Sequence, residues 1–577
     1  MELDTRHQHG WLLFEMPYNS NAQEFEVDFL LSGQINTWFW GYNPFPRFEK
    51  DNIYFETETH FLLLDGIIFN KHELMQHQSG SWAQIVLSLF VDDLTKGIDR
   101  LRGSFNGFFI DKESSSCFCF TNQTGERAVF YYSGTSRIAS SNFNLIFSHL
   151  RNGHIPYSLS LLAAQRMLSY GSMLDDTTFF NEVKRLLPGH IIELGNIETP
   201  FWYHKFSNTT PAQYTKQEAI DKIDILFRKA VQREFEKDQE YGYTSVVDIS
   251  GGMDCRMVAF VAKAMGYTNQ INISYSQTQS NEFKITKRLS NILGFEFIHY
   301  PLDDVSFMMQ PEDIIKNNYG LVYYYSITGG RNLLKVLSSQ RKLGIEHTGL
   351  CGDVYDGSMA THPYHTPPGI SKWYKIGKQN KYDVDTETLR KYPNFEMSSF
   401  YMYWLLTGLG SHFVRRPFCE TYSPFCDVDF LDFVFTIPLE MKVKGHIFRK
   451  WANQKYPEAC SIPNESTMCK VNVPDWIAQS SRGFRYFWNN PIKKLLYQLH
   501  LSKTKNSPNS MNPIEYWYET NKTFQNYVDS YSTKNQVLIN SVPAIRQTLD
   551  GYFGNGSLRE KLLAITVCTV LKTYFYE

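Results

Sequence analysis

Several familiar signatures are missing from this 577-residue chain, and each absence removes a class of function. Its nine cysteines are odd in number and scattered, without C-x-x-C pairs or histidine companions at metal spacing, so neither a disulfide framework nor a zinc site is expected. Cys117 and Cys119 fall on one face of an expected strand and read as core. There is no G-x-x-x-x-G-K-[ST], and Gly408-Leu409-Gly410 lacks the third glycine of a dinucleotide fingerprint. The first residues hold no apolar signal region, and the apolar run Leu562 to Leu571 is too short to span a bilayer. A formal net charge of −2 gives no general attraction to nucleic acid or to an anionic membrane. No tandem repeat or low-complexity tract is present. The expectation is a cytoplasmic protein with reduced thiols, no nucleic-acid partner and no membrane association.

What is present fits a soluble globular protein. With 42% hydrophobic and 20% charged residues the chain can bury large cores, and its length requires two or more of them. Aromatic residues reach 16%, a share read as core and turn packing rather than as a surface for stacking bases.

The most informative stretch runs from Thr244 to Lys263. A β-branched run, Ser245 to Ile249, turns at Ser250-Gly251-Gly252 and continues with helical character from Met253. Glycines at such a turn allow close backbone approach, and the start of the helix directs N–H groups and partial positive charge at whatever sits there. An anion-binding loop and an ordinary buried strand-to-helix turn are both open at this point. A second glycine-rich stretch follows a short expected strand: His347-Thr-Gly-Leu-Cys-Gly-Asp-Val-Tyr-Asp-Gly-Ser358.

Together the two stretches resemble the asparagine synthetase family, whose synthetase domain pairs an S-G-G-x-D-S loop with a later G-x-x-G-D-x-x-x-G loop. The resemblance implies that Ser250, Gly251, Gly252, Asp254, Cys255, Arg256, Gly352 and Asp353 bind ATP, with Asp254 and Asp353 holding Mg2+. Cys255 departs from the family's serine, and a thiol is the weaker hydrogen-bond donor.

The N-terminal third resembles the same family's glutaminase domain. Asp65 to Leu74, Leu101 to Asp111, Thr121 to Tyr132 and Arg185 to His190 follow the order of that domain's segments. The fold implied is α/β: a glutaminase-like αββα domain over residues 1–206, then a parallel α/β synthetase domain of the ATP-pyrophosphatase type over 213–577. A polar stretch, Ser207 to Ala212, reads as the linker, and Thr215 with Glu218 reads as a capping box opening a long helix. Residues 311–343 and 388–412 read as helices, separated by a structured loop over Thr361 to Pro368.

The glutaminase chemistry is not expected. The family uses an N-terminal cysteine as nucleophile, whereas Glu2 follows Met1 here; aligning the first strand instead puts His9-Gly10-Trp11 where Cys-Gly-Ile would stand. A carboxylate or internal imidazole cannot replace a thiolate whose own α-amine takes the proton. Asp65 also stands in place of the family's asparagine.

Two later segments carry the resemblance further. Glu420 to Asp432 is similar to the family's E-x-R-x-P-F-L-D segment with Tyr422 at the arginine position, which suggests a substrate other than aspartate. Cys469 to Trp476 is similar to a stretch whose lysine reaches the departing phosphate, and Lys470 takes that position. The resemblance implies ATP-dependent adenylation of a substrate carboxylate, release of AMP and pyrophosphate, and transfer to an amine from a source other than glutamine. Glu420, Tyr355 and Tyr422 are candidates for deprotonating that amine, and Lys470, Glu420 and Tyr355 form the expected catalytic set. Family members lacking the cysteine, β-lactam synthetase and the lasso-peptide macrolactam cyclases, point to an intramolecular cyclisation or ligation. The implied partners are a small-molecule or peptide carboxylate and, for a peptide, its precursor and a pathway peptidase. An ammonia-dependent asparagine-type synthetase and a catalytically silent scaffold are the alternatives.

Overall fold

The computed structural model describes residues 8–16, 29–195, 200–326, 329–356, 362, 364–371, 374–378, 384, 386–474, 476–477, 480–481, 483–484, 491–500 and 502–576. The N-terminal part contains two six-stranded sheets, and strand β1 (Gly10–Glu15) lies inside one of them, antiparallel to Trp38–Asn43 and to Ile138–Ser140. In the other, β2 (His60–Ile68) and β3 (Gly103–Asp111) pair along their full length. Alternate residues of each strand point to opposite faces, and both faces are covered. On β1, Trp11 and Leu13 enter the core between the sheets, while Leu12 and Phe14 pack against helices Phe143–Asn152 and Leu161–Tyr170. On β2, Phe61 and Leu63 face the inter-sheet core, and Leu62 and Leu64 face the helix Trp82–Asp92. The layers run helix, sheet, sheet, helix, which explains why these strands read as continuous apolar runs.

Helix α1 (Lys216–Tyr241) connects the two halves, and both bonds of the expected Thr215/Glu218 capping box are formed. Its Lys237 reaches the fully buried Asp51, which also receives Lys71 and the Tyr241 hydroxyl. One turn earlier, Arg233 pairs with Glu73 of the N-terminal half and with Asp427 and Asp429 of the C-terminal half. The stretch expected as a linker is docked as well, since Asn208 is buried and bonded to Asn394 and Glu396.

The C-terminal half is built on five parallel strands. In chain order these are β4 (Thr244–Asp248), β5 (Gln270–Ser276), β6 (Glu296–Pro301), β7 (Leu343–His347) and β8 (Glu420–Tyr422), and their spatial order is β6-β5-β4-β7-β8. Helices α2 (Asp254–Ala264) and α3 (Asn281–Leu293) make the first two crossovers. The apolar run near the C-terminus belongs to helix Leu558–Tyr574, buried in the core that joins the first helix layer to the second half. Among the described residues no helix is long and apolar enough to cross a membrane.

The long helices expected over 311–343 and 388–412 are interrupted. Pro311–Asn318 ends at Tyr319, whose left-handed φ of 59° precedes Gly320, and a new helix, Arg331–Gln340, stops before β7. The second region divides into short helices around a π-helical turn, Phe400–Gly408, that widens the coil among bulky aromatic residues. Of the loop Thr361 to Pro368, residues 361 and 363 lie outside the described residues.

A buried ionic cluster fastens α1 to the sheet. His347 of β7 places Nδ1 2.7 Å from Glu234 and Nε2 3.0 Å from Asp238, with Phe235 stacked 4.0 Å from the imidazole. Burial alone would depress this imidazole, but hydrogen bonds to Asp238 and Glu234 outweigh it and push it up to about 9. Burial pushes the Glu234 carboxyl up to about 7 against the pull of His347.

A raised imidazole contributes stability that is fully present below its unfolded value of about 6.5 and is lost as pH rises through about 9. Urea unfolding should therefore show stability falling by on the order of 2–3 kcal/mol across that window. His347→Gln, which does not titrate, should be weaker at pH 6.5 and much flatter above it. An unchanged alkaline slope in the variant would remove His347 as the cause.

Candidate active site

The carboxyl ends of parallel strands are where loops of an open α/β sheet gather around a ligand, and both glycine stretches lie there. The first leaves β4 through Ile249-Ser250-Gly251-Gly252 and enters α2 at Asp254. Among the described residues no side chain caps the start of α2. A Cβ on Gly252 would meet only the Ser250 hydroxyl, at 3.4 Å, so the outer side of the turn is open to an approaching group.

The second stretch leaves β7 and locks onto the first. A Cβ on Gly349 would lie 2.2 Å from the Cys255 amide nitrogen, and one on Gly352 would lie 2.3 Å from the carboxyl carbon of Asp254. Only glycine permits backbone to approach α2 so closely. The Gly349 N–H donates to Cys255 Sγ at 3.3 Å, which bridges the two loops. Between these glycines Cys351 adopts φ 66°, a left-handed conformation that a side-chain-bearing residue holds only under constraint. Asp353 follows Gly352 directly, so its backbone is placed beside the Asp254 carboxylate. Burial pushes the Cys255 thiol up, and the neighbouring carboxylates Asp248 and Asp254 add to the effect. The thiol is therefore held neutral, as a weak acceptor and packing group.

Three other expected site residues are engaged elsewhere. Arg256 is fully buried, and its guanidinium donates to the carbonyls of Ala459, Ile462, Pro463 and Gly251, clamping the back of the loop. Tyr355 is fully buried among Phe430, Phe448 and Trp451. Glu420 begins β8, away from the carboxyl end of the sheet, and pairs with Arg127 of the N-terminal half at 2.9 Å. Tyr422 is buried too, with its ring edge-on to Phe69 and its hydroxyl donating to the Cys426 carbonyl. Lys470 is exposed, on a loop whose Glu465 N–H donates to the Gly251 carbonyl at 2.9 Å. Asp475 lies outside the described residues.

Two groups of acids around the loops escaped the sequence reading. Glu282, at the start of α3, accepts the Gly251 N–H at 2.8 Å, and burial pushes its carboxyl up to about 7. Beneath the loops, Asp248 ends β4 and Glu346 lies in β7, with Arg415 paired to Glu346 and donating to the Tyr275 hydroxyl. Burial, and then Glu346, push the Asp248 carboxyl well above the usual range. The available signal was a charged residue inside a central parallel strand, Ile345-Glu346-His347, where only a paired charge is tolerated.

The donors suit a hard divalent cation shared with phosphate. Mg2+ is held by one or two carboxylates, its other positions going to water and phosphate oxygens. Asp254, pressed against Gly352, and the adjoining Asp353 supply that set. Among the described residues no cluster of three or more His, Cys, Asp or Glu forms a closed metal cage.

Gly349→Ala should drive the loops apart, lowering the melting temperature by several degrees and weakening Mg·ATP binding at least tenfold. Cys255→Ser, which restores a hydroxyl of similar size, should stay within about 1 kcal/mol of the parent. Equal binding by the parent and Gly349→Ala would show that the loops need not touch.

Residues 50–205 match the family model of a glutamine amidotransferase domain. The match begins after β1 and ends before the glycine loops. No curated protein matches the chain. Among solved structures, one described as the allosteric regulatory enzyme of purine biosynthesis is 10% identical, covering 52% of this chain and 76% of that one, with TM-score 0.24. A glutamine phosphoribosylpyrophosphate amidotransferase from B. subtilis is 13% identical over 43% of this chain and 56% of its own, TM-score 0.21. An NH3-dependent NAD synthetase from Campylobacter jejuni is 18% identical over 25% of this chain and 61% of its own, TM-score 0.17. The chain thus spans less than two thirds of the length of the latter two. What the comparisons show is a glutamine amidotransferase-like domain within the first 205 residues of the chain.

Proposed function

We propose that this chain is an ATP-dependent synthetase that forms an amide bond by adenylating a substrate carboxylate, releasing pyrophosphate, and passing the acyl group to an amine from a source other than glutamine. The observation that supports this most is the interlock of Gly349 and Gly352 with Asp254 and Cys255, which brings two carboxylates and an uncapped helix start to one end of a parallel sheet. Charge is the main demand of such a reaction, and preorganised charge is usually its largest catalytic term. Ser250 and the turn amides would receive the β- and γ-phosphates. Lys470, on the loop tied to Gly251, would swing toward the departing pyrophosphate. Asp254 and Asp353 would hold Mg2+, which when bound neutralises phosphate charge. Arg256 acts behind the loop, tying the Gly251 carbonyl to those of Ala459, Ile462 and Pro463, and Tyr355 and Tyr422 fix the surrounding core.

Glutamine independence rests on the head of β1. His9 donates Nδ1–H to the Pro44 carbonyl and stacks on Phe45, so an imidazole occupies the place where the resemblance would put a thiol. The amine is then carried by the substrate itself or by a second one, and a cyclisation or ligation of a small-molecule or peptide acid is the class that fits.

Exchange of labelled pyrophosphate into ATP, measured over a panel of carboxylic acids and candidate precursor peptides, tests adenylation directly. One acid should support exchange in Mg2+ without glutamine, and Asp353→Asn should lower the rate at least a hundredfold. Exchange that requires no acid, or that survives in Asp353→Asn, would contradict the reading.

A further inference from the structure

One segment of the second half departs from the charge balance of the rest. Residues 476–514 hold no Asp or Glu, yet they hold six Lys and Arg: Arg482, Arg485, Lys493, Lys494, Lys503 and Lys505. A net charge of −2 for the whole chain conceals this local excess. The first acids beyond it are engaged. Glu515 pairs with Arg559 at 3.1 Å, and Glu519 accepts the backbone amides of Lys505 and Asn506. Lys503 and Lys505 are exposed, and among the described residues neither side chain enters an ion pair. Arg482 and Arg485 lie outside the described residues and, like Lys493 and Lys494, count here by charge alone.

The same segment keeps large apolar side chains in water. Trp476 is 70% exposed, Leu495 53% and Leu499 57%, and Phe484 and Tyr497 are exposed as well. Every other described tryptophan is buried or half-buried. Ile492, Leu495, Leu496 and Leu499 recur at intervals of three and four, which puts them on one face of the helix Lys493–Gln498 and its ends. A helix that turns such a stripe to a core hides it, whereas more than half of Leu495 and of Leu499 stays in water. The fold therefore leaves the stripe uncovered, and exposed apolar groups gathered in this way mark a docking surface.

We infer that this segment docks on an anionic lipid surface. The leucine and aromatic side chains enter the headgroup boundary, and the Lys and Arg side chains meet lipid phosphates and carboxylates. Two features favour lipid over a protein partner. Four of the six cations are Lys, a residue depleted from protein interfaces. A cluster of roughly four to eight Lys and Arg on an amphipathic helix is also the pattern that anionic headgroups attract. Trp and Tyr suit the same depth, because their rings have an apolar body and a polar edge. Attachment is peripheral, since among the described residues no helix is long and apolar enough to cross a bilayer. The expectation of no membrane association followed from net charge, which averages this segment away.

Sedimentation of the full chain with lipid vesicles, without nucleotide, tests this. Vesicles of phosphatidylcholine and phosphatidylserine in equal parts should bind the chain roughly tenfold or more tightly than phosphatidylcholine alone. Raising salt from about 0.1 M to about 0.5 M should weaken that binding several-fold, because headgroup charge is screened. Tryptophan fluorescence should shift to the blue on binding, and most of the shift should be lost in Trp476→Phe. Leu495→Glu combined with Leu499→Glu should abolish sedimentation, and Lys503→Gln combined with Lys505→Gln should weaken it several-fold. All four positions are exposed, so the parent's melting temperature should be kept; if the leucine pair fails to fold, the lysine pair decides. No sedimentation at low salt, equal binding to both kinds of vesicle, or unchanged binding in the folded variants would overturn the proposal. Capture of an acidic protein by this segment without vesicle binding would overturn it in favour of a protein partner. None of these readouts involves ATP, so failure here is distinct from failure of the synthetase reading.

Discussion

The contact on which the site depends is backbone against backbone: Gly349 and Gly352 pressed onto the first turn of α2. A side chain at either position would set its Cβ 2.2 or 2.3 Å from α2 and force the loops apart, and Asp353 would leave the side of Asp254. The rest of the half-domain maintains this approach. The Cys255 thiol accepts the Gly349 N–H from above, Arg256 clamps four carbonyls from behind, and the strand register sets β7 beside β4. Strained backbone at Cys351 is a local cost of the same arrangement, offset by the packing around it.

A second constraint joins the halves. Helix α1 carries Arg233 and Lys237 into acids of both, and Arg127 of the first half bridges its own Asp65 to Glu420 of β8. Truncating one partner of such a buried pair strands the other, at a cost of roughly 3–5 kcal/mol. The glutamine amidotransferase-like domain is therefore bonded into the sheet that bears the glycine loops. Its retention has a structural reason whether or not it performs chemistry.

The elements written in short-range signals were legible in the sequence. The strand, Ser-Gly-Gly turn and helix at 244–264 stand where glycine and β-branched residues placed them, as does the capping box at Thr215. Side-chain direction was not legible. Arg256, Tyr355 and Glu420 sit near glycine loops or motif segments in sequence, yet each is taken up by carbonyls, aromatic rings or a guanidinium from distant segments. Such partners arise only from tertiary packing. For the same reason Glu282, an ordinary helix-opening acid in the sequence, became the acceptor of the Gly251 amide, and Tyr319 broke a helix that periodicity alone would have continued.

Binding of ATP measured by calorimetry, with and without Mg2+, tests the central claim most directly because it needs no knowledge of the acid. The account predicts binding that requires Mg2+, is lost in Asp254→Asn and Asp353→Asn alike, and survives in Glu420→Gln if that variant folds. Binding that is indifferent to Mg2+, or equal in the parent and both aspartate variants, would contradict it.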